Sequence, residues 1–152
     1  MHVNEGHLQG SLPCLYLTEK VVAVLKRVVH DAQDGREVCG ILGGGILKNN
    51  MMIATVVNDL SNISELSGCF AIAVDEILRS QSTIEDSGLL SLAIYHSHPS
   101  GSTRPSPRDT KLPQITGLLS LILADDGGKL LMECYSDVEG KLTSIRVALL
   151  TQ

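Results

Sequence analysis

The sequence predicts an α/β chain of α+β-like order, with a mainly antiparallel or mixed curved sheet flanked by helices. Three observations predict it. Apolar runs of strand length recur along the chain, two longer segments carry helical periodicity, and the order of these elements lacks the strict βαβ alternation of a parallel sheet. At 152 residues the chain suits one domain, large enough to bury about two-thirds of its unfolded surface without covalent staples.

Cys14–Thr18 (CLYLT) reads as the first strand, and Thr18 then caps a helix over Glu19–Asp34, whose Val21, Val22, Leu25, Val28 and Val29 form one apolar face. Gly35 stops it. Val38–Leu47 and Met51–Asn58 follow as strands, joined through Lys48-Asn49-Asn50 as a hairpin. The polar, turn-rich stretch Asn58–Gly68 is a loop. Val74–Asp86 forms a second helix, with Asp75 and Glu76 near its positive end. Leu89–Tyr95 (LLSLAIY) is apolar, free of Gly and Pro and too short for a typical helix, so it is a buried strand. Gly117–Ala124 and Lys129–Tyr135 are strands around Asp125-Asp126-Gly127-Gly128, and Lys141–Leu149 is the last strand. No internal repeat or linker divides the chain. Residues 13–152 read as a single domain and Met1–Leu12 as a flexible N-terminal tail.

The chemistry gathers at the end of the buried strand. His96 and His98 are i and i+2, so both imidazoles leave one face and can share a cation, while Ser97 points away and Pro99 ends the ladder. Further on, Ser106-Pro107-Arg108-Asp109 has the form of a helix start, with Ser106 as N-cap, Pro107 at the first helical position and Asp109 at N3. That start aims the Asp109 carboxylate back towards the strand end. Catalytic zinc sites hold the ion with three protein ligands and leave the fourth position to water, and His96, His98 and Asp109 meet that requirement. A water activated there needs a base. Glu37, which opens the Gly-containing run Glu37–Gly44 (EVCGILGG), is the best-placed carboxylate. Each piece also has an ordinary reading: histidines at a strand end as hydrogen-bonded surface residues, Ser-x-x-Asp as a cap, and Glu37 as a solvated residue at a strand start.

Taken together, Glu37 with Cys39-Gly40 and Gly43-Gly44 after it, His96-Ser97-His98-Pro99, six intervening residues and Ser106-Pro107-Arg108-Asp109 resemble the signature of the JAMM (MPN+, Mov34) zinc metalloproteases, including archaeal and eukaryotic deubiquitinating members. The similarity in layout runs over roughly Leu15–Leu149. The resemblance implies an MPN/JAMM-like (cytidine-deaminase-like) fold, and one Zn2+ per chain bound by His96, His98 and Asp109. It also implies catalytic roles for Glu37 as general base and Ser106 as a donor to the oxyanion, a contribution typically worth about 3 kcal/mol. The implied activity is a peptidase or isopeptidase, in which a zinc-bound water cleaves after the C-terminal Gly-Gly of ubiquitin or a ubiquitin-like modifier. The loop residues Asp59, Leu60, Ser61, Asn62, Ile63, Ser64, Glu65 and Leu66 lie where such enzymes carry a substrate-facing segment. There they are expected to grip an extended tail by strand addition.

Other functions remain beside this one. Ubiquitin-fold sulfur-carrier proteins, which share a Gly-Gly tail, are an alternative substrate. A non-catalytic MPN scaffold is the alternative outside enzymology, although no signature position departs from the active pattern. A branch associated with bacterial DNA repair also continues its His motif with Pro-Ser-Gly, as Pro99-Ser100-Gly101 does here, but the acidic balance disfavours it. A net charge of −5 and four aromatic residues argue against a nucleic-acid surface. Expected partners are therefore protein conjugates of a ubiquitin-like modifier, with an activating protein complex as a further partner that the resemblance allows. Cys14, Cys39, Cys69 and Cys134 are scattered without CxxC spacing and read as reduced. No signal-like N-terminus or long apolar span is present, so a cytoplasmic location and no membrane contact are expected.

Overall fold

The computed structural model describes residues 13–32, 35–64 and 70–151. The expected tail Met1–Leu12 lies outside them. In order the elements are β1 (Cys14–Thr18), α1 (Glu19–His30), β2 (Cys39–Leu47), β3 (Met51–Leu60), α2 (Val74–Asp86), β4 (Leu90–Ser97), α3 (Lys111–Thr116), β5 (Leu119–Asp126), β6 (Lys129–Val138) and β7 (Lys141–Leu150).

These strands correct the fold class drawn from the sequence. Instead of a curved sheet flanked by helices in an MPN/cytidine-deaminase-like fold, seven strands close into a barrel in the order β1-β3-β2-β4-β5-β6-β7. The strand that closes it is β1, which runs parallel to β3 through Cys14 opposite Met51 and parallel to β7 through Cys14 opposite Arg146. Periodicity identifies each strand locally but carries no information on a pairing between the two ends of the chain. Closure leaves no unpaired edge among these strands.

Glycine in β2 makes the curvature feasible. The register slips against β3 between Gly43 and Gly44, and against β4 between Leu42 and Gly43. Such bulges bend a strand and raise its twist. A side chain at Gly44 would collide with the Ile53 carbonyl oxygen and lie 2.8 Å from its carbon, so backbone and not a flexible side chain would have to move. Gly44→Ala is therefore expected to cost about 3 kcal/mol, at the upper end of overpacking effects. Gly45→Ala, with open space around its new carbon, should change stability by less than about 0.5 kcal/mol. Urea midpoints of the two variants test this, and equal midpoints would refute it.

Two apolar clusters hold the elements together. The main one joins Leu15 and Leu17 of β1, Leu42, Ala93, Tyr95, Leu121 and Leu123 to Val21 and Leu25 of α1. The second places Ile41 and Ile94, from the opposite faces of β2 and β4, against Ile77 and Ile84 of α2. Buried on both sides, β4 needs the unbroken apolar run seen in its sequence. Helix α1 starts where expected, the Thr18 hydroxyl accepting the Val21 N–H at 3.3 Å. It ends at His30, four residues before the predicted Asp34, because its apolar face stops at Val29. The hairpin turn carries Asn49 and Asn50 at φ 64 and 57, left-handed values that asparagine tolerates. Among the described residues no helix is long and apolar enough to cross a membrane.

Candidate metal centre

Strand β4 lies between β2 and β5, with His96 opposite Cys39 on one side and Ile122 on the other. The antiparallel register that sets Cys39 beside His96 carries Glu37, two residues earlier, to the level of His98, two residues later. Ser97 points away from the histidines, as alternation requires, and fastens this arrangement. Its hydroxyl accepts the Val38 N–H at 3.0 Å and its own N–H donates to the Val38 carbonyl at 2.9 Å. The last member arrives from the 3-10 turn Pro107–Thr110 that leads into α3. There the Ser106 N–H donates to Asp109 Oδ2 at 2.7 Å, so the helix start predicted from sequence holds the carboxylate inward.

Three donors converge. His96 Nε2 lies 3.1 Å from His98 Nε2 and 3.1 Å from Asp109 Oδ1, while His98 Nε2 lies 3.2 Å from Asp109 Oδ2. A tetrahedral ion about 2.0–2.1 Å from each ligand needs donors about 3.3 Å apart, close to these separations. The tautomer of His98 strengthens the fit. Its Nδ1 lies 2.9 Å from the Ser102 carbonyl, which can only accept, so Nδ1 carries a proton and Nε2 is the ring atom left for a cation. Two imidazole Nε2 atoms and a carboxylate facing one point make a nest for a cation.

The electrostatics agree. Burial alone would raise the Asp109 pKa, but hydrogen bonds from His96 and His98 outweigh it and hold the carboxyl well below its usual range. Burial pushes His96 down against the pull of Asp109, which favours the neutral form that a metal ligand requires. His98 is raised, first by its bond to Asp109. Glu37 is 5 % exposed, and its Oε2 is buried without a hydrogen-bond partner among the described residues. Burial pushes its pKa up to about 7, with His98 pulling it down and Asp109 pushing it up.

Glu37 and Ser106 border two recesses beside the three donors. One, of about 530 Å³, is walled by Phe70, Ile72, Leu112 and Ile115; the other, of about 340 Å³, by His98, Ser100, Ser102 and Arg104. Ser106 itself is exposed. The centre thus has a mainly apolar recess on one side and a polar one on the other.

The loop residues singled out from sequence are spread over several tasks. Asp59 accepts a hydrogen bond from the buried Tyr95 hydroxyl, and the Leu60 carbonyl accepts the Cys39 thiol at 3.6 Å. The Ser61 N–H donates to the Glu76 carboxylate at 2.9 Å, the Asn62 side chain turns inward to the Glu37 carbonyl, and the Ser64 carbonyl accepts from Arg36. Ile63 is more than half exposed, and Glu65 and Leu66 lie outside the described residues. Sequence reasoning passed over Phe70, whose ring stacks on His96 at 4.3 Å. Its one visible signal was being the chain's single phenylalanine, set at the end of a polar loop.

A closed barrel with a two-histidine, one-aspartate nest and an adjoining buried glutamate defines a candidate metal centre of the hydrolytic type. The family model for prokaryotic homologs of the JAB domain matches residues 21–135, and the chain belongs to that family, the JAB/MPN group to which its signature was likened. Over 35 residues it is 54% identical to a Thermus thermophilus protein named "Probable TtuB-protein conjugate cleaving protease"; the match covers 23% of this chain and 24% of that relative. A solution structure of a Desulfitobacterium hafniense protein shares the fold with a TM-score of 0.77 at 22% identity, over 91% of this chain and 94% of the other. A Salinibacter ruber protein does so with 0.66 at 18%, over 89% and 91%.

Proposed function

We propose that the protein is a zinc-dependent peptidase or isopeptidase that cleaves after the C-terminal Gly-Gly of a ubiquitin-like modifier, with residues 13–152 acting as one domain. The convergence of His96, His98 and Asp109 beside the Glu37 carboxylate, whose Oε2 has no hydrogen-bond partner among the described residues, carries this reading. Those three residues would hold one Zn2+, which when bound supplies Lewis acidity and brings the pKa of water down to about 7. Glu37 takes the proton of the attacking water on its free Oε2 and hands it to the leaving amine, a task suited to a carboxyl poised near 7. Ser106, exposed at the border of both recesses, donates its hydroxyl to the developing oxyanion. The 59–66 segment borders the centre through the Asn62 bond to Glu37, and because the N–H groups of Ser61, Ile63 and Ser64 are given to Glu76, Ala71 and Asn62, gripping an extended tail there would exchange those bonds.

The name of the Thermus relative, a protease of protein conjugates, favours a conjugate substrate over a scaffold role. Sulfur-carrier proteins of ubiquitin fold stay the modifier to try beside ubiquitin. A cytoplasmic location fits the unpaired Cys14, Cys39 and Cys134. The test is mass spectrometry of two fusions, ubiquitin and a ubiquitin-fold sulfur carrier, each ending in Gly-Gly followed by a short peptide. Cutting after Gly-Gly that stops on chelation and returns with Zn2+ is expected. Cutting that survives chelation, or intact fusions with Zn2+ bound, would overturn the assignment.

A further inference from the structure

The hydrogen bonds of Asn62 and the ring contact of Phe70 address the same centre from two sides. Asn62 Nδ2 donates to the Glu37 carbonyl at 2.9 Å, while its Oδ1 accepts the N–H groups of Ser64 and Ala71, both at 3.0 Å. The Ile63 N–H donates to the Ala71 carbonyl at 2.8 Å, so the chain leaving β3 and the chain approaching α2 are stitched together at this level. Next to that stitch, Phe70 lays its ring over His96 with centroids 4.3 Å apart and planes 21° from parallel.

We propose that Asn62 and Phe70 are positioning residues of the metal centre, Asn62 fixing the main chain of the base Glu37 and Phe70 fixing the ring plane of the ligand His96. The proposal rests on the metal-centre reading. An amide carries, on separate atoms, the donor and the twofold acceptor that this junction uses. Aspartate would keep the two accepted bonds and set an oxygen against the Glu37 carbonyl. Glu37 is then held from both sides, its carbonyl by Asn62 and the following Val38 N–H by Ser97. A displacement of Glu37 or His96 by about 1 Å moves the reacting atoms out of line, which is why distant supports can govern turnover. For His96 the effect falls on the metal, since Nε2 aims where its ring plane points.

Co2+ titration of the full chain, followed by the visible absorption of the bound ion, tests Phe70 without any substrate. Phe70→Leu, which keeps bulk but loses the ring, is expected to weaken Co2+ about 10–100-fold and alter the band, while Phe70→Tyr restores both. A Phe70→Leu protein with wild-type affinity and spectrum would overturn that role. For Asn62, kinetics on the cleaved Gly-Gly fusion at saturating metal decide. Asn62→Ala should lower kcat about 10–100-fold with Co2+ affinity near wild type. If Asn62→Ala does not fold, Asn62→Asp carries the same expectation. A wild-type kcat, or a loss confined to melting temperature, would reduce Asn62 to a structural clip. Absence of Co2+ binding by the wild-type chain would sink the metal-centre reading itself, and both assignments with it. Wild-type binding with an unperturbed Phe70→Leu protein would sink only the Phe70 assignment.

Discussion

Asp109→Asn is expected to lower Zn2+ affinity by more than about 100-fold, beyond the 10–100-fold typical of losing an outer-shell partner, and to take turnover with it. The substitution keeps the shape of the side chain and an oxygen to accept the Ser106 N–H, so the 3-10 turn that delivers the residue should survive. What it removes is the negative charge that His96 and His98 share at 3.1 and 3.2 Å, in a spot where Asp109 is 5 % exposed. A cation held by two neutral imidazoles and an amide lacks the charge that repays its dehydration. The amide nitrogen also brings hydrogens towards a position meant for a cation. A competition titration against a chromophoric chelator measures the loss, with the far-ultraviolet circular dichroism of the same sample showing that the barrel is intact. A variant that still holds one Zn2+ at wild-type affinity would remove Asp109 from the ligand set, leaving two histidines and no complete site.

The parts of this centre that sequence made legible are those built by local rules. The alternation of a strand told that His96 and His98 share a face and that Ser97 turns away, and the N-cap pattern told that Asp109 points back from Ser106. Helix α2 falls on Val74–Asp86 as periodicity predicted, and β3 runs on to Leu60 because Cys39 and Gly40 pair with Leu60 and Asp59 beyond the predicted end. Barrel closure was not legible, since it depends on β1 finding β7 at the other end of the chain, where no periodicity reports it. The same holds for Phe70 on His96 and Asn62 on Glu37. Each is a contact between residues about 25 apart in sequence, made only once β2, β3 and β4 are side by side. Asn62 stood in the loop flagged for substrate, but its side chain is spent on the chain's own backbone.

Glu37→Gln separates the base from the ligands and gives the largest effect on chemistry: kcat is expected to fall about 10²–10⁴-fold while Zn2+ stays bound. The amide matches the carboxylate in size but cannot take a proton from water. The metal-free protein offers a second readout, with a sign fixed by burial. Glu37 has its pKa pushed from the usual 4.5 up to about 7 in the fold, so between those values the unfolded chain gives up its proton first. The contribution of Glu37 to wild-type stability therefore declines as pH rises from 4.5 to about 7 and levels off above it, because the folded state must then carry a buried charge. Glutamine has no proton to lose. The metal-free Glu37→Gln protein should match wild type near pH 4 and exceed it at pH 8, by up to about 3 kcal/mol for a shift of this size. Urea denaturation across that range measures the difference. A glutamate that acted as a ligand would lose Zn2+ on substitution, and one that was solvated would show no pH-dependent gain. Retained metal, lost turnover and a gain in stability that opens between pH 4.5 and 7 are together the signature of a buried general base.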